Sequence, residues 1–65
     1  MISCELSDGR VVQFKNHTRL FIAQCMGLGM NWESTNAKAQ TIEPGDWIGL
    51  ENELAQVHRV TEITD

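Results

Sequence analysis

Two cysteines and two histidines are the residues of this 65-residue chain with the most versatile chemistry. Cys4, His17, Cys25 and His58 match the ligand count of a structural zinc site, but none of them lie at the close spacing that such sites use. Cys25 and a histidine could also form a nucleophile and its base, although no motif around Cys25 supports this. We therefore predict reduced cysteines in the core, surface histidines, no enzyme activity and no cofactor, with a zinc-stapled module as an alternative.

Four carboxylates crowd the segment from Thr41 to Glu53, which also holds the only proline of the chain. Glu43, Asp46, Glu51 and Glu53 could act as an acid and base pair or bind calcium. The alternating oxygen ligands of a calcium loop, closed by a glutamate, are absent. The segment therefore predicts a solvated acidic face.

The net charge of −4 is unevenly distributed along the sequence. Residues 1–32 carry two acids and three bases, a sum of +1, whereas residues 33–65 carry seven acids and two bases, a sum of −5. An acidic chain repels the phosphates of nucleic acids unless it presents a separate basic stripe. A one-sided field instead steers association with a surface of opposite charge, so we expect a protein partner with a basic surface.

The length and composition predict one small domain over residues 1–65. A chain of this size buries only about 60% of the surface that its unfolded form exposes, so we expect a thin core and either homo-oligomerisation or docking onto a partner. No apolar stretch approaches the roughly 18 residues of a membrane span. The first residues lack the basic region and apolar run of a signal peptide, so we predict a cytoplasmic protein.

The Asp8-Gly9 pair is the clearest local signal. It separates two runs of strand-compatible residues, and an Asp-Gly pair supplies the positive φ angles of a tight primed turn. We predict a hairpin of strands at about 2–6 and 10–15, with Cys4 and Leu6 on one face of the first strand.

Residues 18–26 are compatible with a short helix or a third strand, because four apolar residues in succession at 20–23 carry no period. We favour the strand, since a nine-residue helix is marginal alone and Phe and Ile favour strands. The following residues up to position 40 have no period, and we predict a long loop with a short helical turn from Glu33 to Ala39.

Pro44 and Gly45 occupy the second and third positions of a type II turn signature. A strand from Trp47 follows, and Trp47 is predicted to lie in the core. The segments "IEPGDWIGL" and "AQVHRV" are similar to the Pro-Gly-Asp hairpins of small barrels of the SH3-like and Hint-like kinds, a resemblance that covers roughly a third of the chain. It implies a small barrel in which this corner sets the register of the final hairpin.

The last strand is predicted from Ala55 to Ile63, after a polar turn at 51–53. Val57 and Val60 lie three residues apart, so either a bulge changes the face or a helix spans Glu53 to Val60. Five or six short strands with turns about every ten residues predict a mainly-β fold, a small barrel or sandwich of the SH3-like or OB-like kind, with at most one short helix within 18–39.

Trp32 lies in the predicted loop, close in sequence to three Met or Leu residues. This grouping could close the open end of a barrel, or it could form an exposed patch that docks a partner, because Trp and Met are enriched at the centres of interfaces. Neighbouring carboxylates would form the rim of such a patch. The predicted partner-binding residues are Met30, Trp32, Glu33, Asp46, Glu51 and Glu53.

Small size and negative charge together favour an accessory or inhibitor protein, of the kind that phages and mobile elements encode, which occludes a basic surface on a larger partner. Two alternatives are kept. One is a self-assembling structural subunit. The other is a nucleic-acid-binding barrel whose cations and stacking aromatics would be Arg10, Lys15 and Arg19 with Phe14 or Phe21.

Overall fold

The computed structural model describes residues 1–25 and 32–63, and their regular structure is almost entirely β. The strands form one antiparallel sheet in the order β2-β1-β6-β5-β3-β4. The predicted mainly-β domain of five or six strands is confirmed, and its sheet is open, with β2 and β4 as edges, rather than closed into a barrel. The strands are β1 (Ile2–Leu6), β2 (Val11–Phe14), β3 (Arg19–Cys25), β4 (Trp32–Lys38), β5 (Trp47–Gly49) and β6 (Leu54–Glu62).

The β1–β2 hairpin closes through a three-residue loop. The backbone N–H of Leu6 donates to the Arg10 carbonyl at 2.7 Å, and the N–H of Gly9 donates to the Leu6 carbonyl at 3.0 Å. Gly9 has a φ of 95°, whereas Asp8 does not have a positive φ. The predicted two-residue primed turn, which requires a positive φ at Asp8, is therefore wrong, and a left-handed glycine closes a longer loop instead.

β3 confirms the strand interpretation over Arg19–Cys25. It pairs with β4 without interruption, from Arg19 opposite Lys38 to Cys25 opposite Trp32. The predicted helical turn from Glu33 to Ala39 is wrong, because this segment pairs with an apolar strand and contains Ser, Thr and Asn, which form helices poorly. The helical turn follows β4, as a short 3-10 segment at Ala39–Thr41.

A bulge in β6 explains the irregular pattern of its valines. The ladder between β1 and β6 shifts after Glu5, so that Leu6 pairs with Val57 and His58 becomes the extra residue. Val57 is buried and Val60 packs against the core, so one inserted residue keeps both valines on the inner side. The bulge is confirmed, and the alternative helix over 53–60 is wrong.

The Pro44-Gly45 corner forms the predicted turn and bonds directly to β6. Gly45 has a φ of 94°, and the N–H of Asp46 donates to the Glu43 carbonyl at 3.1 Å. The N–H of Gly45 donates to the Val57 carbonyl at 2.7 Å, and Val57 returns a bond to the Asp46 carbonyl at 2.8 Å. The corner therefore sets where β5 meets β6, as the type II signature and the resemblance implied.

One hydrophobic core lies on the inner side of the curved sheet. Alternate residues of β1 face Ile22 and Ile48 of the other half of the sheet, and the 3-10 segment adds Ala39 and Ile42. Among the described residues, no helix has the length and hydropathy that a membrane span requires. The buried apolar residues are Ile2, Cys4, Leu6, Ile22, Ala39, Ile42, Ile48, Ala55 and Val57.

The two cysteines are expected to react at very different rates with an alkylating reagent. Cys4 is fully buried, and burial raises the pKa of its thiol, whereas Cys25 is exposed at the end of β3. Only the thiolate reacts, and a buried thiol must wait for opening of the fold, so we expect Cys4 to react at least about 100-fold more slowly. Timed iodoacetamide labelling with peptide mass spectrometry measures both rates. Equal rates in native buffer would contradict this assignment, and equal rates in 8 M urea are the control.

Candidate interaction surface

Both sides of β3 are apolar, although only one side faces the core. Ile22 is buried at 1% exposure, whereas its neighbour Phe21 is 38% exposed and points to the opposite side. The same alternation places Ala23 and Cys25 on the side of Phe21. A domain of this size cannot cover both sides of a central strand, so this second apolar side is left towards solvent.

The register of neighbouring strands extends this apolar side across half of the sheet. Trp32 pairs with Cys25, Trp47 pairs with Ala23, and Leu54 pairs with Gly49, so each pair shares one side of the sheet. We call this surface the outer face. Its apolar residues are Phe21, Ala23, Cys25, Trp32, Trp47 and Leu54, and its polar residues are Arg19, Ser34, Asn36, Lys38 and Gln56.

Of the six large apolar side chains that are exposed in the described part of the chain, three lie together on the outer face. Phe21, Trp32 and Leu54 are 38%, 43% and 56% exposed, and Trp47 between them is partly buried. Single exposed apolar residues are normal, but a group on one face is typical of an interaction surface. The outward side of the β1–β2 hairpin is polar by contrast, with Val11 as its isolated apolar residue.

Gly49 leaves space for the side chain of Phe21 to pack closely against β5. A Cβ atom built at Gly49 would lie 3.0 Å from the Cβ of Phe21 and 3.6 Å from two atoms of its ring. A side chain at position 49 would crowd Phe21, so glycine favours this close packing across β3 and β5. The outer face is therefore shaped by the local sequence of β5 as well as by the aromatic residues themselves.

Trp32 is the predicted anchor that lies directly on the outer face. Glu33, the next residue along β4, points to the other side of this edge strand and is exposed. Glu51 and Glu53 are exposed in the turn between β5 and β6, next to Leu54. Met30 lies outside the described residues.

Asp46, the sixth predicted binding residue, has a structural position. It is only 6% exposed, and its Oδ2 atom accepts hydrogen bonds from the Glu43 backbone N–H at 2.9 Å and from the Gln24 Nε2 atom at 3.1 Å. A buried carboxylate with these donors stabilises the Pro44-Gly45 corner. We therefore leave Asp46 out of the interaction surface, because a partner cannot contact a side chain that the fold covers.

Arg10 partly neutralises the acidic turn. Its guanidinium donates to the Asp8 carboxylate at 2.7 Å and to the Glu53 carboxylate. The Arg10 backbone N–H, followed by its side chain, lowers the pKa of Asp8, and the two carboxylates raise the pKa of Arg10, with Glu53 the larger cause. Because the pKa of Asp8 is lower in the folded state, its ionised carboxylate stabilises the fold at a pH above the usual pKa of aspartate. This contribution is lost as the pH falls through the lowered pKa of Asp8.

Charges that are separated in the sequence are mixed in space. The Arg10 guanidinium, in the first half of the sequence, forms an ion pair with the Glu53 carboxylate in the second half. The Glu5 Oε2 atom likewise lies 3.8 Å from the Arg59 Nε atom. The cause is topological, because β6 inserts between β1 and β5. The acidic half of the sequence is therefore not one acidic side of the molecule, and none of the residues that define the outer face is a carboxylate.

The two cations of the outer face lie side by side. Arg19 and Lys38 are directly opposite each other on β3 and β4, in the register position next to Phe21. Like charges at such positions destabilise a strand pair unless another group compensates them. The other residues of the nucleic-acid alternative are dispersed, since Phe14 packs against the core and Lys15 is exposed beyond the end of β2.

The residues first considered for metal binding or catalysis are also dispersed. Cys4 lies in the core and Cys25 on the outer face, while His17 and His58 are exposed in the turn before β3 and at the bulge of β6. Within residues 1–25 and 32–63, no group of three or more His, Cys, Asp or Glu side chains is arranged to hold a metal ion.

Three of the large apolar residues of the outer face, Phe21, Trp47 and Leu54, were not among the predicted binding residues. Phe21 was considered only as a stacking aromatic, Trp47 was predicted to lie in the core, and Leu54 was not considered. The prediction for Trp47 is corrected by its partial exposure on the outer side of β5. The sequence held no clear signal for them, because four apolar residues in succession at 20–23 do not show which side of β3 is covered.

Comparisons with protein-family models, with curated proteins and with solved structures found no match to this chain. The residues of the outer face are therefore the basis for inferring a function. Its centre is aromatic and apolar, and its margins carry both signs of charge. This combination of apolar centre and charged rim is typical of surfaces that bind macromolecules.

Proposed function

We propose that this chain is a small protein-binding module that docks onto a partner through the outer face. The observation that carries the proposal is the grouping of Phe21, Trp32 and Leu54 on one exposed side of the sheet, with Trp47 between them. Trp and other large aromatic residues contribute most to binding when a partner covers them completely. The module acts by occlusion, because it covers a surface that its partner would otherwise offer to another molecule.

The charges support a partner with a basic surface. The chain has a net charge of −4, and Glu51 and Glu53 lie at the margin of the outer face, in the turn next to Leu54. Glu53 shares its charge with Arg10, so Glu51 contributes most of the negative charge of this margin. Rim charges mainly raise the rate of association and set its salt dependence, whereas the apolar centre sets the lifetime of the complex.

Paired alanine variants test the proposal. We expect Trp32→Ala with Leu54→Ala to weaken capture of the partner from a lysate at least about tenfold, because two exposed anchors are removed. Val11→Ala is the matched control, since Val11 is 59% exposed but lies on the polar outward side of the β1–β2 hairpin, away from the outer face. The captured protein is then purified, and its Kd for each variant is measured by titration calorimetry.

Equal affinity of the double variant and the Val11→Ala control would refute docking through the outer face. Unchanged circular dichroism of both variants shows that the fold is retained. A complex that depends on the negative rim should also weaken when Glu51→Lys is introduced and when salt is raised from 50 to 300 mM, because screening reduces attraction between exposed charges.

A second candidate function, binding of single-stranded nucleic acid, is favoured by the juxtaposition of Arg19 and Lys38 beside Phe21. Aromatic side chains stack on bases, and neighbouring cations contact phosphates. Fluorescence anisotropy with labelled DNA and RNA oligonucleotides tests this candidate. Binding that Lys38→Glu and Phe21→Ala abolish would support it, and the absence of binding at 50 mM salt would exclude it, because phosphate contacts are strongest at low salt.

A further inference from the structure

β4 forms a long edge of the sheet. Its seven residues pair on one side with β3, and no other described strand lies on its second side. The opposite edge, β2, has only four residues. Five residues of β4, from Trp32 to Asn36, are exposed, so a neighbouring strand could approach this edge.

The β4 edge lacks most of the features that prevent strands from pairing between molecules. Its ladder with β3 is continuous over all seven pairs, without the bulge that interrupts β1 and β6. It contains no proline, and its charges are confined to Glu33 and to Lys38 at its end. A regular edge presents a row of backbone N–H and C=O groups that can bond to another strand.

We propose that β4 pairs in antiparallel orientation with β4 of a second copy of this chain, about a two-fold axis at Thr35. In an isologous antiparallel contact, each residue lies opposite a residue that faces the same side of the sheet. The two-fold axis must therefore lie between the two copies of one residue, and not between two residue positions. An axis at Thr35 pairs all seven residues of the strand. A shift of the axis by one residue would pair only five, so Thr35 is the centre that satisfies most backbone groups.

The side chains are complementary in this register. On the outer face, Trp32 of each copy lies opposite Lys38 of the other, and Ser34 lies opposite Asn36. On the inner side Thr35 meets its own copy, a favourable cross-strand pair, and no like charges are directly opposite. The ring of Trp32 can also stabilise the Lys38 ammonium by a cation–π contact, which offsets the unfavourable position of Lys38 beside Arg19 within one chain.

The resulting dimer has one continuous sheet of twelve strands, six from each copy. The two outer faces join across the axis, with both Trp32 side chains at the junction. This dimer does not depend on the proposed function, because backbone groups at the edge of β4 hold the two copies together, whereas the proposed partner docks onto the side chains of the outer face. Each copy carries a charge of −4, so the dimer should become stronger as salt rises, whereas docking onto a basic partner should weaken.

Sedimentation equilibrium of the full chain between 1 and 500 μM tests the proposal. We expect a mass that approaches twice 7.3 kDa as concentration rises, more readily at 300 mM than at 50 mM salt. Thr35→Lys and Thr35→Glu each place like charges opposite each other at the axis, and each should raise the dimer Kd roughly tenfold. Gln13→Lys, at an exposed position of the β2 edge, is the matched control and should leave the Kd unchanged.

An equimolar mixture of Thr35→Lys and Thr35→Glu provides the decisive measurement. Only a contact between Thr35 and its own copy brings these opposite charges together, so the mixture should recover the mass of a dimer. A mass of one chain at every concentration would overturn the proposal. Failure of the mixture to associate, or equal weakening by Gln13→Lys, would overturn it as well, while circular dichroism confirms that each variant folds.

Discussion

Replacing Ile48 with alanine should cost about 3–4 kcal/mol of the free energy of unfolding, the largest effect expected of a single substitution in this protein. Ile48 is fully buried, and it lies between Ile22 of β3 and Ala55 of β6. The change removes apolar contacts and leaves a cavity that the two flanking strands cannot close. A domain of this length has a total stability of roughly 3–10 kcal/mol, so the loss is about a third of this stability or more.

Urea denaturation followed by tryptophan fluorescence measures this loss, since Trp47 is the neighbour of Ile48. Val11→Ala removes a similar apolar side chain from a position that is 59% exposed, and it should change the free energy of unfolding by less than about 0.5 kcal/mol. If the two variants unfold at the same urea concentration, the core assignment of β5 is incorrect.

Asp46→Ala should lower the free energy of unfolding by about 2–3 kcal/mol. The substitution also removes one of the nine acidic residues of a chain with net charge −4. Simple relief of charge repulsion would predict a gain in stability. The structure predicts a loss, because the buried carboxylate accepts bonds from the Glu43 N–H and from the Gln24 side chain. Both donors would lose their partner, and the corner that bonds to Val57 would be less well fixed.

Glu43→Gln is the matched control for this experiment. Glu43 is exposed and lies in the same turn, so neutralising its side chain leaves its backbone N–H bond to Asp46 intact. We expect a change of less than about 0.5 kcal/mol in the free energy of unfolding. A similar loss in both variants would indicate that charge in this segment, rather than the buried hydrogen bonds, determines its stability.

Local features of the sequence predicted most of the strands and the type II turn at Pro44-Gly45. Gly45 after Pro44 produces the type II turn, because only this pair combines a fixed φ with a left-handed residue. Alternating apolar residues favoured β1, and the spacing of Val57 and Val60 allowed either a bulge or a helix, of which the structure has the bulge. These features act over a few residues, so the sequence alone contains their physical cause.

The candidate surface depends on contacts between residues that are far apart in the chain. The order of strands decides that Trp32, Trp47 and Leu54 share the outer face, since each belongs to a different strand. The insertion of β6 between β1 and β5 mixes charges that the sequence keeps apart.

The sequence by itself determined that this protein is a small, acidic, mainly-β domain. The tertiary structure decided that Asp46 is buried and that the apolar side of β3 is exposed. Hydrophobic periodicity shows which residues alternate along a strand, but burial depends on which other elements cover each side. In a domain with one thin core, only one side of β3 can be covered, and long-range strand pairing selects that side.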